Sequence, residues 1–173
     1  MSNQQKETGE RPVSVVTGAN SGIGRATAIH LAQQGHRAIG TVRSIERAEK
    51  LRTMAAAADV SVELFELDVA DDESVRTGFD EILASTGRID HLVNNAGVGG
   101  NAVAEECPPE LYLSVMNVNL CGAVRCTQAV LPQMRERGSG TIVNITSVAG
   151  RIAALAQSPY VASKWAFEGL SEG

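Results

Sequence analysis

Tyr160 and Lys164 stand four residues apart in Tyr160-Val161-Ala162-Ser163-Lys164, a stretch that reads as helical. At that spacing two side chains share one helix face. A phenol with its ordinary pKa of about 10 is a poor proton exchanger at neutral pH. A neighbouring ammonium stabilises the phenolate, and lowering the pKa by about three units takes about 4 kcal/mol of differential interaction. So placed, Tyr160 would act as general acid towards a carbonyl oxygen and as general base towards an alcohol. Ser147 lies upstream at the carboxyl end of a strand-like run, where its hydroxyl can hold the substrate oxygen. Thr146 also carries a hydroxyl, but strand alternation turns it to the face opposite Ser147. A lone Tyr-x-x-x-Lys is more often an ordinary helix face, so the company it keeps decides its meaning.

That company includes a glycine turn, Thr17-Gly18-Ala19-Asn20-Ser21-Gly22-Ile23-Gly24. Glycines let the backbone approach a pyrophosphate, which also gains from the N–H groups and dipole of the following helix. The spacing is G-x-x-x-G-x-G rather than the G-x-G-x-x-G of the standard dinucleotide fingerprint, and a purely structural turn is the alternative. A dinucleotide site has an acidic residue for the ribose 2′-hydroxyl near the end of its second strand. Here that strand ends Thr41-Val42-Arg43-Ser44, so Arg43 offers a guanidinium for a 2′-phosphate instead. NADP therefore fits better than NAD; the alternative for Arg43 is a solvated strand end.

The elements that must position these groups alternate. Residues 13–17 form a β-branched run, a buried parallel strand. Residues 22–34 space Ile23, Ala26, Ile29 and Ala32 along a helix that Gly35 stops. The pattern goes on to strand 37–42, helix 45–57, strand 60–69 and a helix over 71–85 whose acidic start suits its N-terminus. Strand 89–94 follows, then a long helix over 108–137 bent or broken near 117–122, and strand 141–146. Ser158 and Pro159 open a last helix. Repeated β-α-β units imply an α/β fold: a doubly wound parallel sheet in three α/β/α layers, the Rossmann architecture. Residues 165–170 are still in helical register when the sequence stops at Gly173, so the expectation is a fragment or shortened chain lacking at least the last of six strands.

The length of 173 residues suits one domain, read as a flexible polar leader over 1–10 and a single nucleotide-binding domain over 11–173. A net charge of −5 leaves no electrostatic footprint for nucleic acid or anionic lipid. Residues 1–10 lack the apolar stretch of a signal sequence, and no apolar run approaches the roughly 18–20 residues of a membrane helix. Cys107, Cys121 and Cys126 have none of the spacings that build metal sites, and read as free thiols in a reducing cytoplasm.

Taken in order, Thr17–Gly24 (TGANSGIG), Asn94-Asn95-Ala96-Gly97, Asn119 within MNVNL, Ser147 at its family spacing from Tyr160, and the YVASK stretch resemble the short-chain dehydrogenases/reductases. The match runs from about residue 13 to the end. It departs from the family in lacking the region that supplies further strands, contacts to the nicotinamide amide and a lid over the substrate. The resemblance implies an NADP-dependent oxidoreductase moving hydride between the cofactor and a carbonyl or secondary alcohol. It implies catalytic roles for Asn119, Ser147, Tyr160 and Lys164, with Lys164 also holding the nicotinamide ribose and Asn119 positioning a water that relays protons to it; Asn117 is a nearby competitor for that place, and a helix-bending role is the alternative for Asn119. Cofactor contacts are implied for Gly18, Asn20, Ser21, Gly22, Ile23, Gly24 and Arg43. They extend to Asp68 (to the adenine amino group, with a helix N-terminal acid as the alternative), Val69, Asn95, Ala96 and Gly97; Asn94, Ala96 and Gly97 stand where the family packs against the adenosine ribose and braces the sheet, with a Gly/Asn turn as the alternative. It also implies a homo-dimer or homo-tetramer through the two long central helices.

The loops over 98–106 and 148–158 are small and moderately apolar, with Arg151 their full positive charge, so the expected substrate is a hydrophobic ketone, aldehyde or secondary alcohol. The overall texture is similar to steroid- and retinol-type members. His30, His36, His91, Tyr112 and Trp165 are assigned to packing or surface. Two other classes compete. One is a truncated, catalytically silent nucleotide binder. The other is a structural protein on the same fold, against which the retained catalytic set speaks.

Overall fold

The computed structural model describes residues 11–173, so the leader expected over 1–10 lies outside the described residues. Strand β1 (Val13–Val16) is buried at every position, as a strand covered on both faces must be, and leads through the glycine turn into α1 (Gly22–Gln33). Strand β2 (Arg37–Val42) follows, then a 3₁₀ turn (Glu46–Ala48), α2 (Glu49–Ala57), β3 (Glu63–Glu66), α3 (Asp72–Thr86) and β4 (His91–Asn94). The remainder is α4 (Pro109–Met116), a π-helical turn (Asn117–Cys121), α5 (Gly122–Arg137), β5 (Thr141–Asn144), a 3₁₀ turn (Val148–Gly150) and α6 (Ser158–Glu172). The strands form one parallel sheet in the order β3-β2-β1-β4-β5.

Two apolar layers hold the sheet. On one face Val15, Ile39 and Leu92 pack with Phe79 and Ile82 of α3 and Cys126 and Val130 of α5. On the other, Val16 and Val93 meet Ala28 and Ile29 of α1 and Leu51 and Ala55 of α2. Burial in the first layer pushes the Cys126 thiol up to about 12, so it behaves as a small apolar group. The acidic start expected for α3 is observed. Asp71 caps it by accepting from Ser74 N at 2.7 Å, and Gly87, with φ +73°, ends it.

Three boundaries differ from the pattern. The strand expected over 60–69 is β3 alone, because the Val60 N–H donates to Ala55 O and closes the end of α2 instead. The helix expected from residue 45 starts with a 3₁₀ turn, fastened where Ile45 N donates to Glu66 Oε1 at 2.9 Å. The strand expected over 141–146 ends at Asn144. The break expected near 117–122 is the π-helical turn, which re-aims α5 relative to α4 without ending the helix.

Candidate active site

β1 and β4 are neighbours although β2 and β3 lie between them in sequence, so the winding reverses there. A doubly wound sheet opens a crevice at the carboxyl ends of its strands at such a reversal. Here the crevice is a cavity of about 1170 Å³.

The turn from β1 to α1 makes one wall, with Gly18, Asn20, Ser21, Gly22 and Ile23 lining it. Gly18 has φ +65°, and a Cβ there would sit 2.8 Å from Ala96 Cα, so neither conformation nor space admits a side chain. Gly24, expected among the cofactor contacts, is not on the wall. A Cβ on it would lie 2.6 Å from Gly18 O, so its service is close packing of α1 under the turn. Asn95 lines the cavity but spends its amide on that same turn, donating from Nδ2 to Thr17 O at 2.8 Å; Ala96 and Gly97 complete this side. Ser21 is the N-cap of α1, yet its hydroxyl makes no capping bond and the first turn carries no acidic residue. The N–H groups and positive dipole end of α1 thus meet the cavity without a side-chain anion, which suits a phosphate.

Thr41, Val42, Arg43 and Ser44 bring the end of β2 to the cavity. Among the described residues no carboxylate forms an ion pair with Arg43. Thr41 is fully buried, and its hydroxyl has no hydrogen-bond partner among the described residues. Asp68 and Val69 line the cavity beyond the end of β3. The Asp68 carboxylate is held in place by accepting from Ala70 N at 3.0 Å, while Asp68 N donates to Ser74 Oγ at 2.9 Å. Asn94, behind this wall, donates to Thr127 Oγ1 and Asn144 Oδ1 and so braces β4 against α5 and β5, as expected.

Tyr160 and Lys164 lie together on the far wall. The lysine is 5% exposed, and its ammonium donates to Ile145 O at 2.9 Å. It lies 5.8 Å from the centre of the Tyr160 ring and 5.1 Å from that of Phe167. Burial pushes the Lys164 ammonium below the usual lysine range, and the Glu168 carboxylate one turn on opposes this. A partly desolvated cation is thus fixed beside a phenol.

Two expected residues are placed differently. Asn119 is 1% exposed and off the wall, with both donors of its amide engaged. It accepts from Val98 N at 2.8 Å and donates to Val98 O at 3.0 Å and Ser163 Oγ at 2.9 Å. These bonds tie the loop after β4 to α6 through the π-helical turn. Ser147 is also off the wall; its hydroxyl accepts from Ala149 N at 3.1 Å at the start of the Val148–Gly150 turn, which leaves its O–H free to donate. Thr146, expected to face away, lines the cavity instead. Strand alternation does not reach residue 146, because β5 stops two residues earlier. Arg151 is engaged by Glu168 and Glu172 at 2.9 and 3.1 Å. Sequence reasoning missed Tyr112, whose hydroxyl donates to Ser158 Oγ at 2.9 Å; no local pattern signals a bond between residues 46 apart.

Fold and cavity define an α/β protein of the Rossmann type. The model of the family described as short chain dehydrogenase matches residues 12–173, and the chain belongs to that family of oxidoreductases. It is 38% identical to the 3-ketodihydrosphingosine reductase of Bacteroides thetaiotaomicron, covering 92% of this chain and 56% of that protein. It is 36% identical to a 3-oxoacyl-acyl-carrier-protein reductase of Thermotoga maritima, covering 94% and 66%. Among solved structures it resembles a gluconate 5-dehydrogenase from Burkholderia cenocepacia in complex with NADP and tartrate. That match has a TM-score of 0.86 and 35% identity, covering 94% of this chain and 64% of the other. The chain thus spans less than two thirds of the length of these relatives.

Proposed function

We propose that the chain binds NADP(H) and exchanges a proton with a carbonyl or secondary alcohol substrate through Tyr160. The observation that carries this reading is one cavity shared by three features: the uncapped start of α1, Arg43 with no carboxylate partner among the described residues, and the Tyr160–Lys164 pair. The residues fit the cofactor. The N-terminal N–H groups of α1 suit the pyrophosphate, Arg43 suits a 2′-phosphate, and Asp68 stands where an adenine amino group can be met. When bound, the nicotinamide supplies the hydride chemistry. Tyr160 gives or takes the proton on the substrate oxygen, and Lys164 stabilises the phenolate form. The relatives named as reductases of a keto and an oxo compound support carbonyl reduction, and the NADP in the gluconate 5-dehydrogenase complex supports the choice of cofactor. Exposed Val98, Val148, Ile152 and Leu155, on and after the loops beside Tyr160, favour a hydrophobic ketone, aldehyde or alcohol. Assembly as a homo-dimer or homo-tetramer in the cytoplasm rests on the family resemblance.

One observation favours a second reading, nucleotide binding without turnover: Ser147, whose hydroxyl accepts from Ala149 N, is not among the residues that line the cavity. Both readings are tested by titrating the chain with NADPH and NADH through Trp165, its one tryptophan, and then assaying NADPH oxidation against a carbonyl panel. NADPH binds more tightly, and Arg43→Asp erases about tenfold or more of that preference, the worth of a charge-assisted bond. Tyr160→Phe removes turnover while NADPH still binds. Equal affinity for the two cofactors would overturn the cofactor assignment. Binding with no turnover by the unmodified chain would favour the second reading.

A further inference from the structure

Between β4 and α4 the chain crosses the mouth of the cavity, which Val98, Gly99 and Asn101 line. This loop is fastened to α6 at two places that straddle Tyr160. On one side Asn119 grips both backbone groups of Val98 and bonds Ser163 Oγ, which in turn donates to Tyr160 O at 2.7 Å. On the other side the Tyr112 hydroxyl donates to Ser158 Oγ at 2.9 Å, and that hydroxyl donates onward to Ala102 O at 3.0 Å. Ser158 N reaches the same carbonyl at 3.3 Å, and Ala102 forms an isolated parallel bridge with Gln157. Between the two fastenings a Cβ on Gly100 would lie 3.1 Å from Pro159 Cβ and 3.3 Å from Tyr160 N. The loop therefore rests directly on the backbone that carries the phenol.

We propose that Tyr112 and Ser158 are positioning residues. Their two-bond chain latches the loop onto the first turn of α6, and so sets the substrate side of the cavity relative to the Tyr160 phenol. The inference rests on the reading of Tyr160 as the proton-exchanging group. The latch is needed because α6 starts without a side-chain cap of its own. Its first turn, two residues ahead of Tyr160, is steadied from outside by Ser158 bonded to a loop and to α4. Hydroxyls in series polarise one another, so loss of Tyr112 Oη also weakens the bond to Ala102. The cofactor walls, formed by the β1–α1 turn and the ends of β2 and β3, do not depend on it.

The test compares the chain with Tyr112→Phe, Ser158→Ala and Ser158→Thr, by amide hydrogen exchange, NADPH affinity and steady-state reduction of the carbonyl panel. Tyr112→Phe and Ser158→Ala speed exchange about two- to tenfold over residues 98–106 and 157–161, the opening that one lost hydrogen bond permits. Amides of β1, β2 and β4 and the affinity for NADPH stay at the wild-type values. The kcat falls by a similar factor while KM for NADPH holds, and Ser158→Thr, which keeps the hydroxyl, restores both readouts. Three outcomes overturn the inference: unchanged exchange in the loop, acceleration spread evenly over the sheet, or a loosened loop with undiminished kcat. Where the unmodified chain turns over none of the panel, the reading of Tyr160 fails on its own assay, and the inference falls with it even if the exchange pattern is local.

Discussion

Thr41 places a fully buried hydroxyl on the cavity wall with no hydrogen-bond partner among the described residues. A buried donor left unpaired costs about 1–3 kcal/mol, more than the net worth of a typical paired one. Thr41→Val keeps the shape and removes the polar group. The substitution therefore raises the stability of the nucleotide-free chain by about 1 kcal/mol in urea unfolding; a loss of stability would mean that the hydroxyl is satisfied in solution. Lys164 is a different kind of buried polar group, because its ammonium has a carbonyl to donate to and two aromatic faces beside it. The pairing of Tyr160 with Lys164 was legible in the sequence, since helical spacing alone puts both on one face. The roles of Ser147 and Asn119 were less so. Which way a hydroxyl turns after a strand ends, and what an amide bonds, depend on groups distant in the chain.

At the scale of elements, the amino-terminal edge of the sheet carries a junction of β1, β2 and β4 away from the cavity. Ser14 Oγ lies 2.7 Å from His36 Nδ1 and 2.9 Å from His91 Nδ1, and the two rings are 5.2 Å apart. Burial lowers the pKa of both histidines below the usual value, and at His36 the His91 ring adds to the shift. Asp90 opposes the shift at both, and Arg11 adds to it at His36. With both rings neutral, the hydroxyl donates to one and accepts from the other; with both charged, it faces two donors. A depressed folded-state pKa means that the unfolded chain takes up protons first. The stabilisation is therefore complete above about pH 6.5 and is lost as pH falls through the lower folded values. Thermal melts between pH 7.5 and 5 test this: Tm of the wild type drops across that range, and His91→Gln flattens the dependence. An equally steep drop in the variant would place the proton uptake elsewhere. The sequence marked these histidines only as packing or surface, because their meeting depends on strand order.

For the molecule as a whole, the cavity exists because the chain reverses its winding between β1 and β4. Its walls come from the glycine turn, the ends of β2 and β3, the loop after β4, and α6, so a ligand that fills it ties together both halves of the sheet. Ligand bound only by the folded state stabilises by about 2.7 kcal/mol at a hundredfold excess over Kd. NADPH therefore raises Tm of the chain by several degrees, NADH raises it less at the same concentration, and Arg43→Asp narrows the difference. Identical shifts for the two nucleotides in the unmodified chain would count against a 2′-phosphate site at Arg43.

The amino-acid order by itself determined the alternation of strands and helices, the glycine turn, the arginine at the end of β2 and the tyrosine–lysine face. Each of these is set by neighbours within a few residues, where backbone preference and apolar periodicity act. Tertiary structure alone decided that β3 and β5 are short, that Thr146 lines the cavity, that Asn119 bonds Ser163, and that Tyr112 reaches Ser158. Those outcomes turn on hydrogen bonds between segments far apart in the chain, and such bonds exist only once the sheet has brought their partners together.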